Sequence, residues 1–285
     1  MKIGIELNIF AGGYCRYGDK KYLKLKEHGF SCIDFNMANT NTEIYTSAAP
    51  DGLLLREKAL ADEAGIEINQ AHGPWRSPPR DGTFESRAER MDKMQKSIRF
   101  ASLLGCKNWV VHPLMPAGAD DTLTGAEKET WDINTRFMKE LLITAKEYGV
   151  TVCLENVPML KFSLAKPAAI LRFVEEIGDE NLKICLDTGH ANVFDDLSLC
   201  DEVRRLGDRL KVLHVHDNKC GKDLHLMPYS GTVDWTAFAR ALQDIGFNGV
   251  FSLETAPAPN LPDSLFEKSS IMLYETANEI TSVLT

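Results

Sequence analysis

The sequence predicts a single (β/α)8 TIM barrel, and three observations carry that expectation. Eight short β-rich runs recur along the 285 residues, segments of helical spacing or helix-forming composition separate them, and several helices end in glycine just ahead of a strand. Alternating strand and helix units imply a parallel sheet, and eight units close most naturally into a barrel, with a doubly wound open sheet as the alternative.

The first run, residues 2–8, leads through an irregular stretch to helical spacing at 22–28 and the ending Glu27-His28-Gly29. The second run, 31–36, precedes a helix at 53–64 that ends Glu63-Ala64-Gly65. The third, 66–72, is followed by a helix at 85–104 ending Leu104-Gly105, and the fourth, 107–112, by one at 126–148 ending Tyr148-Gly149. Runs at 150–155 and 182–187 pair with helices at 168–177 and 197–206. The seventh run, 211–216, pairs with a helix at 235–245 closed by Gly246, and the eighth, 249–254, with the last helix at 264–284. Glycine at such ends accepts the left-handed conformation that caps a helix and turns the chain back. The longest irregular stretches, 9–19, 73–83 and 113–125, all follow strands, where barrels carry active-site loops.

No internal repeat, low-complexity tract or Pro/Ser-rich linker interrupts this series, so one domain over residues 1–285 is expected. The formal charge of −9 and pI near 5.3 argue against a nucleic-acid surface, which needs clustered Lys and Arg. Seven cysteines, an odd number without paired spacing, read as free thiols in a reducing compartment. No signal-like segment opens the chain and no run reaches the ~18 apolar residues of a membrane span, so a cytoplasmic protein without a membrane partner is expected.

Four apolar runs end in residues that bind divalent metals: Glu155, Asp187, His214 and Glu254. In a barrel these are the C-terminal tips of strands five to eight, and His72 and His112 are the tips of strands three and four. Taken singly, a strand-end carboxylate is more often a helix cap or ion-pair partner, and a lone His a satisfied core residue. Four at successive tips point to one metal site. Two carboxylates flanking a metal are what a 1,2-proton shift beside a carbonyl requires, one removing the proton and the other returning it across an enediolate that the metal stabilises. Glu155 and Glu254, three strand steps apart, are the expected catalytic pair.

Around them, His190 is placed to ligate metal, orient Asp187 or contact a substrate hydroxyl, the last being favoured; the competing role is a cap on the next helix, which Thr188 could supply. His216 shares strand parity with His214, and spacing alone does not choose between them. Asp223 and His225 suit a second metal position, sugar hydroxyls or a solvated turn. Trp75 suits stacking on a sugar face, Arg76 is a weaker candidate, and Trp109, inside a strand, reads as core.

The motifs Cys153-Leu-Glu-Asn-Val-Pro, Cys185-Leu-Asp-Thr-Gly-His-Ala-Asn, His214-Val-His-Asp-Asn-Lys, Asp223-Leu-His and Gly249-Val-Phe-Ser-Leu-Glu resemble the xylose-isomerase-like TIM-barrel superfamily, especially its sugar phosphate isomerase/epimerase branch. The resemblance implies metal ligands at Glu155, Asp187, His214 and Glu254. It prefers His214 over His216, because the family ligand stands three residues before an acidic residue, here Asp217. His72, His112, His190, His225 and Trp75 are then the expected substrate contacts.

The same superfamily includes nucleases of the endonuclease IV type with three zinc ions, and His72, His112, Glu155, Asp187, His190, His214, Asp223, His225 and Glu254 match that larger set in residue type. The segment after Glu155 lacks those nucleases' glycine-rich loop, and basic DNA-gripping loops are missing. Ketohexose epimerases carry a second Glu where Lys161 stands, and an Arg after the strand-seven ligand where Lys219 and Lys222 are the nearest cations. The expected activity is therefore a metal-dependent isomerase or epimerase for a sugar or keto-sugar derivative, a small-molecule substrate, with one Mn²⁺, Mg²⁺ or Co²⁺ ion and Zn²⁺ also compatible. The alternatives are an abasic-site nuclease, a keto-sugar lyase or dehydratase, and a non-catalytic sugar-binding subunit. A homo-oligomer is compatible with any of them.

Overall fold

The structure, a computed structural model, describes residues 1–75, 81–219 and 221–284; Arg76 and Cys220 lie outside them. Eight parallel strands run β1 (Lys2–Leu7), β2 (Cys32–Asn36), β3 (Glu67–His72), β4 (Asn108–Val111), β5 (Thr151–Glu155), β6 (Leu182–Asp187), β7 (Leu210–His214) and β8 (Val250–Leu253). Each pairs with its neighbour in sequence, and β1 also pairs with β8. The last seam, between β7 and β8, is held where Val215 N donates to Ser252 O at 2.8 Å and Glu254 N donates to Val215 O at 2.9 Å. The ring therefore closes, and the (β/α)8 barrel rather than the open sheet is the fold.

The principal helices follow the strands in order: α1 (Lys21–Glu27), α2 (Pro50–Ala64), α3 (Phe84–Leu103), α4 (Glu127–Glu147), α5 (Pro167–Ile177), α6 (Leu199–Leu206), α7 (Trp235–Asp244) and α8 (Asp263–Thr281). Local chemistry sets their ends. Thr83 and Ser86 form a reciprocal capping box at the start of α3, Ser198 caps α6 one residue inside the expected boundary, and Gly65 closes α2 at φ 67°. The loops also carry short helices that apolar periodicity does not signal, at Glu43–Thr46, Asp121–Thr124 and Thr188–Asn192. The expected seventh strand stops early at His214, because Asp217 turns to an antiparallel bridge with Leu226.

Side-chain alternation divides each strand between two cores. Outward residues such as Trp109, Phe35 and Phe251 are fully buried beneath the helices. Trp109 is thus core, as its place inside a strand suggested, and its ring lies so close to Gly73 that a Cβ there would be 2.5 Å from Cζ2. Inward residues Val110, Cys153, Cys185 and Val212 form a separate small cluster inside the barrel. Two residues further along each of the same strands come His112, Glu155, Asp187 and His214, on the same face and one level higher. The six described cysteines are free thiols. Among the described residues, no helix is long and apolar enough to cross a membrane.

Candidate metal centre and active site

Glu155 is the hub of the barrel mouth. It is fully buried, with Oε1 2.9 Å from His214 Nδ1, and Oε2 2.9 Å from His112 Nε2 and 3.4 Å from His72 Nε2. Oε2 and His112 Nε2 are close but not aligned as a hydrogen bond, so these atoms converge on shared space rather than satisfying each other. His214 Nδ1 also lies 3.3 Å from Glu254 Oε2, a buried oxygen without a hydrogen-bond partner among the described residues. The donor atoms of Glu155, Asp187, His214 and Glu254 all lie within 4.8 Å of one another. A set of carboxylate oxygens with one imidazole, two of the oxygens buried and unpartnered, fits a divalent cation.

Asp187 belongs to this group and also begins the next helix. Its Oδ1 accepts from His190 N at 2.6 Å, so Thr188–Asn192 starts directly at the strand tip. The cap considered for Thr188 is therefore supplied by Asp187, because the helix opens immediately after β6. Thr188 Oγ1 instead donates to His216 O at 2.7 Å and accepts from His216 N at 3.0 Å. Asn156 brackets the same tip: its Nδ2 donates to Asp187 O at 3.0 Å, and its Oδ1 accepts from Asp187 N at 2.8 Å.

His216 is drawn into a second group. Its Nε2 lies 3.0 Å from Asp187 Oδ1 and 3.9 Å from Asp223 Oδ1, and its ring stacks on His225 with centroids 4.0 Å apart. His190, His216, Asp223 and His225 form a further cluster of donor atoms beside the first, and His72, His112 and Glu155 form another. His214 and His216 thus face different groups, and the four-residue strand-tip set contains His214.

Three of the imidazoles share one orientation rule. Nδ1 of His72, His190 and His225 meets the carbonyls of Gly73, Asn156 and Glu254 at 2.8, 2.9 and 2.9 Å. A carbonyl only accepts, so each Nδ1 carries a proton and each Nε2 is presented to the site. Nε2 of His190 and of His225 then faces Asp223, at 3.5 and 3.4 Å. Asp223 thus borders the mouth while remaining, with His225, exposed to solvent.

Charge is distributed unevenly. Burial works against the charged form of Glu155, but His214 and His112 beside it outweigh that and hold the carboxyl well below its ordinary range. Burial pushes Glu254 well above its range, reinforced by the charges of Asp187 and Glu155 against the pull of His214. Burial alone would lower His190 and His225; Asp187 and Asp223 overcome it and carry both up to about 9. His112 is pushed down to about 4, chiefly by burial. Two carboxyls on one pocket with opposite proton affinities are the ingredients of an acid and a base.

Trp75 is half-buried, its ring edge-on to His112 with centroids 4.3 Å apart, so it borders the histidine side of the mouth. All nine expected site residues therefore come to the C-terminal end of the barrel. One buried member escaped the sequence reading: Asp34 on β2, whose Oδ2 lies 2.7 Å from His214 Nε2. The signal was available, since Ile33-Asp34-Phe35 puts a charge inside an apolar run. Asp217, the acidic marker used to choose His214, points elsewhere: it accepts from Trp235 Nε1 at 3.0 Å and from Val233 N at 3.2 Å, pinning the loop after β7.

Known proteins share this architecture. The family described as xylose isomerase-like TIM barrel matches residues 23–273. A D-psicose 3-epimerase of Enterocloster bolteae is 26% identical over 245 residues, which cover 82% of this chain and 76% of that protein. An L-ribulose 3-epimerase of Mesorhizobium japonicum is 26% identical over 278 residues, covering 95% of this chain and 86% of its own. A crystal structure of IOLI protein with a binding zinc atom superposes with a TM-score of 0.76 at 18% identity, over 100% of this chain and 99% of that one, a likeness of fold.

Proposed function

Because the chain belongs to the xylose isomerase-like TIM-barrel family, we propose that it is a metal-dependent isomerase or epimerase acting on a ketose or keto-sugar derivative. The observation that carries this reading is the convergence of Glu155, Asp187, His214 and Glu254 within 4.8 Å, with the two glutamates in opposite protonation environments. Its relatives include sugar 3-epimerases, which supports the same class of chemistry.

Glu155, Asp187, His214 and Glu254 would hold one divalent ion, Mn²⁺, Mg²⁺ or Co²⁺, with Zn²⁺ also suited to the donor set. Such an ion would supply Lewis acidity that makes the carbon beside a sugar carbonyl more readily deprotonated. One glutamate would take the proton from that carbon; the other, protonated across the pocket, would deliver its own proton to the opposite face, whereas return by the first to the adjoining carbon would give isomerisation. The Nε2 atoms of His72, His190 and His225 are oriented to bind hydroxyls, and Trp75 offers an apolar wall. Lys161 stands where ketohexose epimerases carry a second Glu, so the hydroxyl pattern accepted here should differ from theirs. Incubation of the metal-loaded protein with a panel of ketoses in D₂O tests the proposal: deuterium should enter a carbon adjacent to the carbonyl, and its absence from every sugar would refute it.

A second reading has its own observation in its favour. Three neighbouring donor groups, with three imidazoles presenting Nε2, suit a site for several ions and hydrolysis of a phosphodiester. The net charge of −9 opposes a nucleic-acid substrate. Metal analysis separates the two: one ion per chain and no incision of an abasic-site duplex excludes the nuclease.

A further inference from the structure

The contact between Asp34 and His214 spans the barrel from β2 to β7, and three features make it more than a packed ion pair. A register shift between Ile33 and Asp34 pairs Asp34 with Gln70 rather than with Asn69 of β3. Such irregularities re-aim side chains, and here both Asp34 and Gln70 reach the barrel interior. Asp34 Oδ2 then accepts from His214 Nε2 at 2.7 Å and from Gln70 Nε2 at 3.0 Å. Gln70 Nε2 also donates to Leu213 O at 3.2 Å, so the imidazole and the backbone just before it are held by one unit. All three side chains are buried, with His214 and Gln70 fully inaccessible and Asp34 1% exposed.

We propose that Asp34, supported by Gln70, is a positioning residue that fixes the tautomer and ring orientation of His214. The carboxylate oxygen accepts, so Nε2 keeps its proton, and Nδ1, which faces Glu155 and Glu254, is the nitrogen left to release a proton and meet a cation. This assignment is the mirror of His72, His190 and His225, which spend Nδ1 on a carbonyl and present Nε2. The negative partner also makes the imidazole a stronger donor toward a cation at Nδ1. A merely structural Asp34 would affect folding stability and leave both tautomer and cation affinity alone. The inference rests on the strand-tip residues being the metal site, and its test keeps the two apart.

The experiment titrates metal-free wild type, Asp34→Asn and Asp187→Asn proteins with Co²⁺ by absorbance, and reads the His214 tautomer by ¹⁵N NMR in the metal-free proteins at alkaline pH, where the imidazole is neutral. The positioning role predicts that Asp34→Asn weakens Co²⁺ binding by about 10–100-fold and that the Nε2–H form of His214 ceases to dominate. Wild-type affinity within about twofold, with an unchanged tautomer, would overturn it. If Asp187→Asn binds Co²⁺ as wild type does, the ion lies elsewhere and the reading of the site itself fails. Should Asp34→Asn not fold, Gln70→Met removes the supporting donor at similar volume; it should weaken Co²⁺ binding by a smaller factor, about 3–10-fold, and unchanged affinity overturns the role.

Discussion

Gly189 makes room for His216: a Cβ at position 189 would lie 1.9 Å from Cε1 of the imidazole and 2.3 Å from Nδ1. The ring is also held from the other side by Asp187, so it has nowhere to retreat without disturbing a strand-tip carboxylate. Gly189→Ala is therefore expected to destabilise the protein by ~1–3 kcal/mol, despite alanine's better helix propensity, and to lower turnover by displacing Asp187. Urea unfolding and steady-state kinetics on the same preparation check both. An alanine variant as stable and active as wild type would mean that His216 is not locked.

Cation binding should release protons. Without a cation, Glu254 is pushed well above the usual carboxylate range by burial and by Asp187 and Glu155, while His214 is raised because Cys185, Glu155 and Glu254 outweigh its burial. Both groups must give up a proton to ligate. Calorimetric titration with Mn²⁺ at neutral pH, repeated in buffers of different ionisation enthalpy, should report at least about one proton released per ion. Zero release would place the ion away from these two residues. Removal of the ion by a chelator should lower the melting temperature, since an ion at about 100-fold its Kd adds ~2.7 kcal/mol to the folded state.

The two glutamates should be separable by isotope exchange. Glu155→Gln and Glu254→Gln are each expected to lower turnover by about 10²–10⁴-fold. The glutamate that removes the substrate proton should, when replaced, abolish solvent deuterium exchange into unreacted sugar. Its counterpart's variant should retain exchange while losing net conversion. Mass spectrometry of recovered substrate distinguishes them, and full exchange in both variants would remove both from the proton path.

Acid should loosen the seam between the first helix and the last. His28 Nδ1 lies 2.8 Å from Ser270 Oγ, which is 2.7 Å from the Tyr14 hydroxyl, so this buried chain joins the β1–α1 loop and α1 to α8. Burial lowers the affinity of His28 for a proton. The unfolded chain, with an ordinary His pKa of about 6.5, takes up that proton first. The stability His28 contributes is thus present above about pH 6.5 and lost as pH falls below it. Urea midpoints of wild type and His28→Gln should differ most near neutral pH and converge in mild acid. A constant difference would contradict this.

The features legible in the sequence were those written in local order. Strand and helix periods, glycine endings and the place of Glu155, Asp187, His214 and Glu254 at the ends of their runs determined an eight-unit barrel with these four potential metal donors at its mouth, because period two records which face a strand residue occupies. What local order does not record is rotation about a side-chain bond or the partner across a closed ring. Only the tertiary structure brought Asp34 of β2 against His214 of β7, gathered His72 and His112 onto Glu155, and made Asp187 a helix cap as well as a site carboxylate. It also decided which ring nitrogen each histidine presents, since that depends on which carbonyl or carboxylate lies behind the ring once the barrel has closed.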